Sequence, residues 1–359
     1  MNIQKITTAL TNLNGTIYMC ADGFIDEVWE LVDFRASLAQ YTPVSKMTHF
    51  GQRIIGVGTG GMGMELVKKR RDYGGFTANI GYATARLGIN TTMVGLFGKG
   101  EIDPVFAPVQ AVSNMITMGD AAVTHALEFD DGKILMTHMG VVLEVDWNRL
   151  IREIGISKLT ELITEADIIG IGYWSCLPDF DNMVKQACEL IPPDGKERRF
   201  FFDFADVRKR DTGSLVNTFA VLKQLNTKCP MLLSMNEHEA AIIFELQGET
   251  LDDAGRPVAE KTEAVRTRLG LDELVIHTPQ YAVAASSKEP PALMPQKYCE
   301  KPVRTAGAGD TFNGGYIAAT MAGLNIAERL LVANETVSFF LNTGNAPNRK
   351  DLNSWLDLE

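Results

Sequence analysis

Short apolar runs recur along this chain, and a stretch of helical character separates most of them. They are TIYMCA at 16–21, TTMVGLF at 91–97, ADIIGIG at 166–172, RFFFDF at 199–204 and MLLSM at 231–235. A strand that helices cover on both faces is apolar at nearly every position, as these runs are. Their alternation with helical segments near 148–164, 179–191, 214–225 and 236–247 predicts an α/β fold with a mostly parallel central sheet flanked by helices, in three layers.

Antiparallel structure is predicted beside this core. The segment 123–145 alternates around the turn Asp130–Lys133, which is typical of a β-hairpin. We expect one domain over 1–359, with a small β-sheet lid drawn discontinuously from about 22–50 and 120–145. Within the first range, residues 27–40 carry an uneven helical stripe. Six glycines in residues 51–63 indicate a loop.

Charge and composition exclude several classes of protein. The chain has 34 basic and 45 acidic residues, a net charge of −11, whereas nucleic-acid binding needs a basic face. No apolar run approaches the length of a membrane span, and the start, MNIQKITTAL, lacks the pattern of a signal peptide. The five cysteines show no C-x-x-C pair, which favours a reducing compartment. We therefore expect a cytoplasmic protein that binds neither nucleic acid nor membrane.

The segment TAGAGDTFNGG, at 305–315, carries the strongest functional signal. Small residues before a helix permit a tight turn, and the first backbone amides of the helix then have no internal partner. Such a helix start favours an anion. Asp310 at the same place can act as a general base, and phosphoryl transfer needs both features. The alternative is a plain glycine-rich turn capped by Asp310.

Two further motifs occur in a fixed order with this segment. Gly74-Gly75 is followed by Asn79, and Asn236 is followed by Glu239 directly after the run MLLSM. Together the three motifs resemble the signatures of the PfkB/ribokinase family of sugar and nucleoside kinases, from about residue 16 to 346. The resemblance implies a ribokinase-like fold, ATP as phosphoryl donor and Mg²⁺ as cofactor.

The resemblance also implies roles for individual residues. Asp310 would be the catalytic base, and the amides of Gly307, Ala308 and Gly309 would form an anion hole. On the acceptor side the implied contacts are Gly75, Asn79 and Asp26, with Asp22 as the competing aspartate and Glu144 at the lid edge. One of the two aspartates can instead cap a turn.

The nucleotide side is implied in the same way. Asn236 and Glu239 would organise Mg²⁺ and the phosphates, with the metal held mainly through water. The compatible alternative is a helix N-cap with its capping-box partner. Thr278 and Asn334 would contact the nucleotide; for Asn334 an ordinary polar helix position is equally consistent with the sequence.

One position departs from the family pattern. Arg304 stands where many members have an aspartate that helps to bind a monovalent cation, so we expect no need for K⁺; Arg304 would supply the charge or face solvent.

The function that the resemblance implies is that of an ATP-dependent kinase acting on a primary hydroxyl of a small sugar. The alternatives are a nucleoside kinase and a non-catalytic relative that binds sugar or nucleotide. Pairing of two copies through the lid is a further expectation from the family.

Overall fold

The computed structural model describes residues 1–357 and contains two β-sheets. Fourteen strands form within those residues: β1 (Thr16–Ala21), β2 (Phe24–Arg35), β3 (Tyr41–Pro43), β4 (Leu66–Gly74), β5 (Asn90–Gly95), β6 (Asn114–Thr117), β7 (Ala122–Phe129), β8 (Gly132–His138), β9 (Ile168–Gly172), β10 (Arg199–Asp203), β11 (Met231–Asn236), β12 (Glu273–His277), β13 (Tyr281–Ser286) and β14 (Ala292–Pro295).

The same residues form fourteen α-helices. They are α1 (Ile3–Thr11), α2 (Met47–Val57), α3 (Phe76–Arg86), α4 (Ala107–Gln110), α5 (Gly140–Leu143), α6 (Trp147–Ile154), α7 (Ile156–Glu165), α8 (Phe180–Glu189), α9 (Thr212–Leu225), α10 (Glu237–Leu246), α11 (Val258–Leu269), α12 (Ala308–Met321), α13 (Ile326–Thr343) and α14 (Arg349–Leu356). Within residues 1–357, no helix has both the length and the apolar run that crossing a bilayer requires.

The larger sheet has nine strands in the order β14-β13-β12-β11-β10-β9-β1-β5-β6. From β12 to β6 every neighbouring pair is parallel, and only β13 and β14 run antiparallel to the strands beside them. The predicted α/β class with a mostly parallel central sheet is confirmed. In such a sheet the carboxyl ends of the parallel strands share one edge, which is where ligands bind.

The helices cover both faces of this sheet and enclose two apolar layers. Strand β10 illustrates the alternation: Phe200 and Phe202 face one layer, while Phe201 faces the other and stacks on Phe76 of α3 at 6.1 Å between ring centroids. All three phenylalanines are fully buried. Burial of this kind contributes roughly 2 kcal/mol for each large apolar side chain and so stabilises the packing of β10 between the two layers.

The smaller sheet has five strands, centred on β2. Strand β2 pairs antiparallel with β4 and parallel with β7, its far end pairs with β3, and β8 completes the β7 hairpin. Its strands lie within the two ranges predicted for the lid, except β4, Leu66–Gly74, which the sequence analysis did not predict.

Two local predictions in this part of the chain were wrong. Residues 27–40 do not form a helix, because Phe24–Arg35 is a strand whose register shifts between Val28 and Trp29. That bulge interrupts the two-residue alternation and produces apolar spacings that resemble a helix. The glycine-rich segment 51–63 is not all loop, since α2 continues through Gly51 and Gly56 to Val57 and none of its residues is buried.

Candidate functional site

Asp310 lies in the first turn of α12 and is 7% exposed. Both of its carboxylate oxygens are held. Oδ1 accepts a hydrogen bond from the Tyr173 hydroxyl at 2.8 Å, and Oδ2 accepts one from Asn79 Nδ2 at 2.8 Å. Tyr173 follows β9 and Asn79 lies on α3, so two separate elements fix the orientation of one carboxylate.

The turn before α12 needs its glycines. Gly307 has a φ of 84°, which is left-handed backbone. A Cβ at Gly309 would meet His277 Cε1 at 3.0 Å. The amide of Ala308 donates to the Thr305 carbonyl at 3.1 Å and so closes this turn. In the part of the chain that the structure describes, the Gly307 and Gly309 amides have no protein acceptor. Two of the three predicted anion-hole amides are thus available to a ligand.

Further polar side chains stand at the same edge of the sheet. Asp203 ends β10 and accepts a hydrogen bond from Asn313 Nδ2 at 2.9 Å. Asn313 in turn accepts one from the Ser234 hydroxyl at 2.6 Å. Each of these groups is buried, and buried polar networks hold their members in one arrangement only when every member is satisfied.

The carboxyl groups of this cluster share raised pKa values. Burial, followed by the negative charge of Asp203, raises the pKa of Asp310 to about 8, against the donors Tyr173 and Asn79, which lower it. Burial also raises the pKa values of Asp203 and Glu239. Carboxyl groups that repel one another in a cleft are typical of a functional site, and a bound cation would relieve the repulsion.

Asn236 and Glu239 form a capping box at the start of α10. Asn236 Oδ1 accepts a hydrogen bond from the backbone amide of Glu239 at 3.0 Å. In return, Glu239 Oε2 accepts one from the backbone amide of Asn236 at 3.0 Å. Both side chains also line the cavity that contains Asp310. The two interpretations of this motif therefore coexist. Residues 1–357 contain no cluster of three His, Cys, Asp or Glu side chains arranged to hold a metal, and a Mg²⁺ that keeps most of its water does not require one.

The two acceptor-side aspartates occupy different environments. Asp22 is fully buried, and its oxygens accept the amides of Phe76 and Thr77 at 2.9 and 2.8 Å, so it caps α3. Asp26 lies on β2 opposite Asp72 of β4, is partly exposed, and has its pKa raised by burial. The carboxylate with more freedom to meet a ligand is Asp26.

Gly75 lies close to Asp22. It has a φ of 96°, and a Cβ there would come within 2.9 Å of Asp22 Oδ2. Glu144 stands apart from this group: its side chain is 77% exposed and lies 3.8 Å from Arg149. Glu144 does not line the cavity that contains Asp310.

A second cavity, of about 450 Å³, adjoins the first and is more apolar. Phe312, Val337 and Leu341 form one wall, and Thr278 lies at the turn between β12 and β13. The Thr278 hydroxyl donates to the Tyr281 carbonyl at 2.9 Å. Asn334 does not line this cavity, because its side-chain amide donates to the Pro295 carbonyl at 3.1 Å and holds β14.

Arg304 is half-buried and held by its neighbours rather than extending freely into solvent. Its guanidinium lies 5.7 Å from the ring centroids of both Tyr73 and Phe340, and Nε donates to the Ala306 carbonyl at 3.1 Å. It lines a polar crevice between the smaller sheet and the loop before α12, together with Asp72 and Lys133. A fixed positive charge thus stands directly before the turn Thr305–Ala308.

Tyr173 is the functional candidate that the sequence analysis missed. It directly follows the predicted strand 166–172, at the carboxyl end where α/β sites form. The position of Tyr173 in the sequence was therefore a signal that it could belong to the site. An aromatic residue after an apolar strand is usually part of the core, and nothing in the local sequence marks this hydroxyl as a partner of Asp310, 137 residues away.

Comparison with known proteins assigns the chain to the PfkB/ribokinase class of carbohydrate kinases. A family model described as prokaryotic ketohexokinase matches residues 5–358, and the chain belongs to that family. A relative named ketohexokinase from Haloferax volcanii is 27% identical over 348 residues, covering 95% of this chain and 90% of that protein.

Solved structures confirm the fold. Arabidopsis thaliana ribokinase, complexed with ribose and ATP, aligns with a TM-score of 0.67 at 16% identity, over 97% of this chain and 99% of that one. A putative ribokinase II from Escherichia coli, in complex with ATP and Mg²⁺, aligns with a TM-score of 0.64 at 12% identity, over 97% and 100%. The predicted ribokinase-like fold is confirmed.

Proposed function

We propose that this protein transfers the γ-phosphoryl group of ATP to a primary hydroxyl of a small sugar. The observation that carries the proposal is the position of Asp310. Its carboxylate is held by Tyr173 and Asn79 and stands beside the free amides of Gly307 and Gly309. A base next to an anion-binding helix start supplies the two groups that this transfer needs.

In the proposed reaction the Asp310 carboxylate takes the proton of the sugar hydroxyl, whose oxygen attacks the γ-phosphorus. The ADP oxygen leaves with the electron pair of the broken P–O bond. The amides of Gly307 and Gly309 stabilise the charge on the transferring group, as does the dipole of α12. Mg²⁺, when bound, neutralises phosphate charge. Asn236 and Glu239 would hold it through water, consistent with the crowded carboxylates that line the cavity.

The acceptor that we favour is a ketohexose. The family is described as prokaryotic ketohexokinase, and the Haloferax volcanii relative carries the same name. Gly75, Asn79 and Asp26 would contact the sugar hydroxyls, with the smaller sheet closing over them as a lid and excluding water. Asp22 would act indirectly, by holding the start of α3. Glu144, at the end of α5, would reach the sugar only if its segment moved toward the cleft.

For the nucleotide, we propose the apolar cavity as the site of the base. Phe312, Val337 and Leu341 would pack on its faces, and Thr278 would lie at the rim. Asn334 would act indirectly, by holding β14 through its hydrogen bond to the Pro295 carbonyl. ATP and an unphosphorylated sugar meet in the cytoplasm, which is therefore the compartment that we propose.

The decisive experiment is a coupled assay of ADP formation with MgATP and a panel of ketohexoses, aldopentoses and nucleosides. We expect a ketohexose to give the highest kcat/KM, and ³¹P NMR of the product to show a phosphate on a primary carbon. Preferred phosphorylation of a nucleoside would favour the nucleoside kinase instead. No turnover with any acceptor, combined with tight sugar binding, would indicate a non-catalytic relative.

We also propose that the enzyme does not need K⁺, because Arg304 already places a positive charge beside the loop before α12. A monovalent cation near this guanidinium would be repelled by about 1 kcal/mol or more at an effective dielectric near 20. Rates in potassium chloride and in tetramethylammonium chloride of equal ionic strength should agree within about 2-fold on this account. Strong activation by potassium would refute it.

Two copies of the chain are proposed to pair through the smaller sheet. Strand β8 is one of the edge strands of this sheet, and its side chains Leu135 and Met136 are 56% and 48% exposed. An uncovered apolar edge is prone to pair with another chain. Light scattering should give a mass of two chains, and Leu135→Lys should shift it toward one. A monomer at all concentrations would exclude the pairing.

A further inference from the structure

The hydroxyl of Tyr173 is a hydrogen-bond donor with one evident acceptor. Burial and the nearby carboxylates of Asp310, Asp203 and Asp22 raise the pKa of Tyr173 well above 10, so the phenol keeps its proton. The proton is directed to Asp310 Oδ1 at 2.8 Å. The ring is fixed as well, since it packs edge-to-face on Phe76 at 5.6 Å between centroids.

Several charged groups determine the protonation of Asp310. Asp203 at the end of β10 and Asp22 at the end of β1 both raise its pKa, in addition to burial. The donors Tyr173 and Asn79 act in the opposite direction, because they stabilise the charged form. The same cavity is lined by further titratable groups on neighbouring elements: Asp206, Arg208, Lys209, His238, Glu239 and His277.

We propose that Tyr173 is a positioning residue for the phosphoryl transfer, whose hydroxyl orients the Asp310 carboxylate and favours its ionised form. The proposal rests on the proposed role of Asp310 as the base. With Oδ1 held by Tyr173 and Oδ2 by Asn79, the plane of the carboxylate is set by two donors from different elements. The remaining lone pairs are then available to the sugar hydroxyl.

Tyr173→Phe tests this directly, because it removes the donor and keeps the ring on Phe76. Loss of a hydrogen bond to the ionised form raises the pKa of Asp310, so the low-pH limb of kcat/KM for the sugar should move to higher pH. We expect a shift of about one pH unit, or about tenfold in kcat/KM below the limb. The KM for ATP should change by less than about 2-fold, since this residue is not proposed to contact the nucleotide.

Tyr316→Phe is the matched control. Tyr316 is also buried, and its hydroxyl also donates to a carboxylate, Glu273, but Glu273 begins β12 and so lies at the opposite edge of the central sheet from the cleft. This variant should lose stability without a change in the pH profile. If both variants shift the profile equally, or if Tyr173→Phe leaves it unmoved, the positioning role is refuted.

A second substitution reverses the expected sign. Site-specific 3,5-difluorotyrosine at position 173 is a stronger donor of nearly the same shape, so the limb should move to lower pH. This variant answers the question even if Tyr173→Phe does not fold; no shift with difluorotyrosine would overturn the proposal.

Asp310→Asn separates the positioning role of Tyr173 from the proposed function. If that variant keeps its turnover, the proposed function fails; if it is inactive and the tyrosine variants shift nothing, only the positioning role fails.

Discussion

The polar side chains at the carboxyl edge of the central sheet and those on the smaller sheet are satisfied in different ways. Asp310 and Asp203 are each 7% exposed and accept hydrogen bonds from neutral donors. On the smaller sheet, Arg70 pairs with Glu128 at 2.7 Å, and these side chains are 51% and 42% exposed. Water already stabilises the exposed pair, whereas the buried carboxyls depend on their neighbours.

The glycines of the two regions also have different surroundings. Around Gly309 a side chain would meet His277, whereas around Gly56 of α2 there is open space. The chain around Gly309 is therefore closely confined by its neighbours, whereas the chain around Gly56 is not. Substitutions should accordingly have large effects on activity in the first region and small effects in the second.

The largest effect is expected for Asp310→Asn. This change keeps the shape of the side chain and removes the base, so kcat should fall at least ~100-fold, the usual scale for general-base catalysis. Circular dichroism and the melting temperature would verify that the variant is folded. Near wild-type turnover would show that Asp310 is not the base, and the contrast between the central edge and the smaller sheet would no longer hold.

Gly309→Ala should have the next largest effect. The added Cβ would contact His277 at 3.0 Å and move the amide that is proposed to bind the γ-phosphoryl group, lowering kcat/KM by about tenfold or more. The matched control is Gly56→Ala in α2, which should leave kcat/KM unchanged and stabilise the exposed helix by up to ~1 kcal/mol. Equal losses in both variants would contradict the comparison.

The third prediction concerns pH. The pKa of Asp310 is about 8 in the folded chain, well above its ordinary value of 3.8. Between these values the folded state binds more protons than the unfolded state, so this group makes stability fall as pH rises. Asp310→Asn lacks the titration. Its melting temperature relative to wild type should therefore increase from pH 5 to pH 8.5. A constant difference would argue against the raised pKa.

A smaller and more selective effect is expected for Asp26→Asn. Because Asp26 is the less constrained of the two acceptor-side aspartates, its loss should raise the KM for the sugar about tenfold and leave the KM for ATP unchanged. Asp22→Asn is the comparison. It weakens the cap of α3, so it should lower the melting temperature more than Asp26→Asn does. If Asp26→Asn lowered the melting temperature more than Asp22→Asn, the assignment of Asp26 to the sugar and of Asp22 to the helix cap would have to be exchanged.

The smallest effect is expected on the surface of the smaller sheet. Arg70→Ala removes an exposed ion pair with Glu128 and should cost less than ~1 kcal/mol, with no change in kcat. Urea unfolding and steady-state kinetics would measure both quantities. A loss of activity comparable to that of Gly309→Ala would show that this surface takes part in the reaction.

The same contrast explains what could be predicted from sequence. The central strands were predictable because burial on both faces makes them apolar throughout, and the run 166–172 contains the observed strand Ile168–Gly172. Strand β2 was not, because its bulge between Val28 and Trp29 breaks the alternation that would identify a half-buried strand. Helix α2 was missed because glycine weakens a helix without preventing it.

For the site, the motif at 305–315 identified Asp310 and the glycines beside it, since a helix start and a base are both local features. The contacts from Tyr173 and Asn79 join residues 137 and 231 positions from Asp310, and only the folded arrangement of β9, α3 and α12 brings them together. Long-range contacts of this kind leave no local pattern in the sequence.

The central claim is that Asp310 removes the proton of a sugar hydroxyl beside the amides of Gly307 and Gly309. A crystal structure with Mg²⁺, a non-hydrolysable ATP analogue and the preferred sugar tests it most directly. The account predicts one primary hydroxyl within ~3 Å of the Asp310 carboxylate, with the γ-phosphate on those amides. A sugar that binds with every hydroxyl turned away from Asp310 would contradict it.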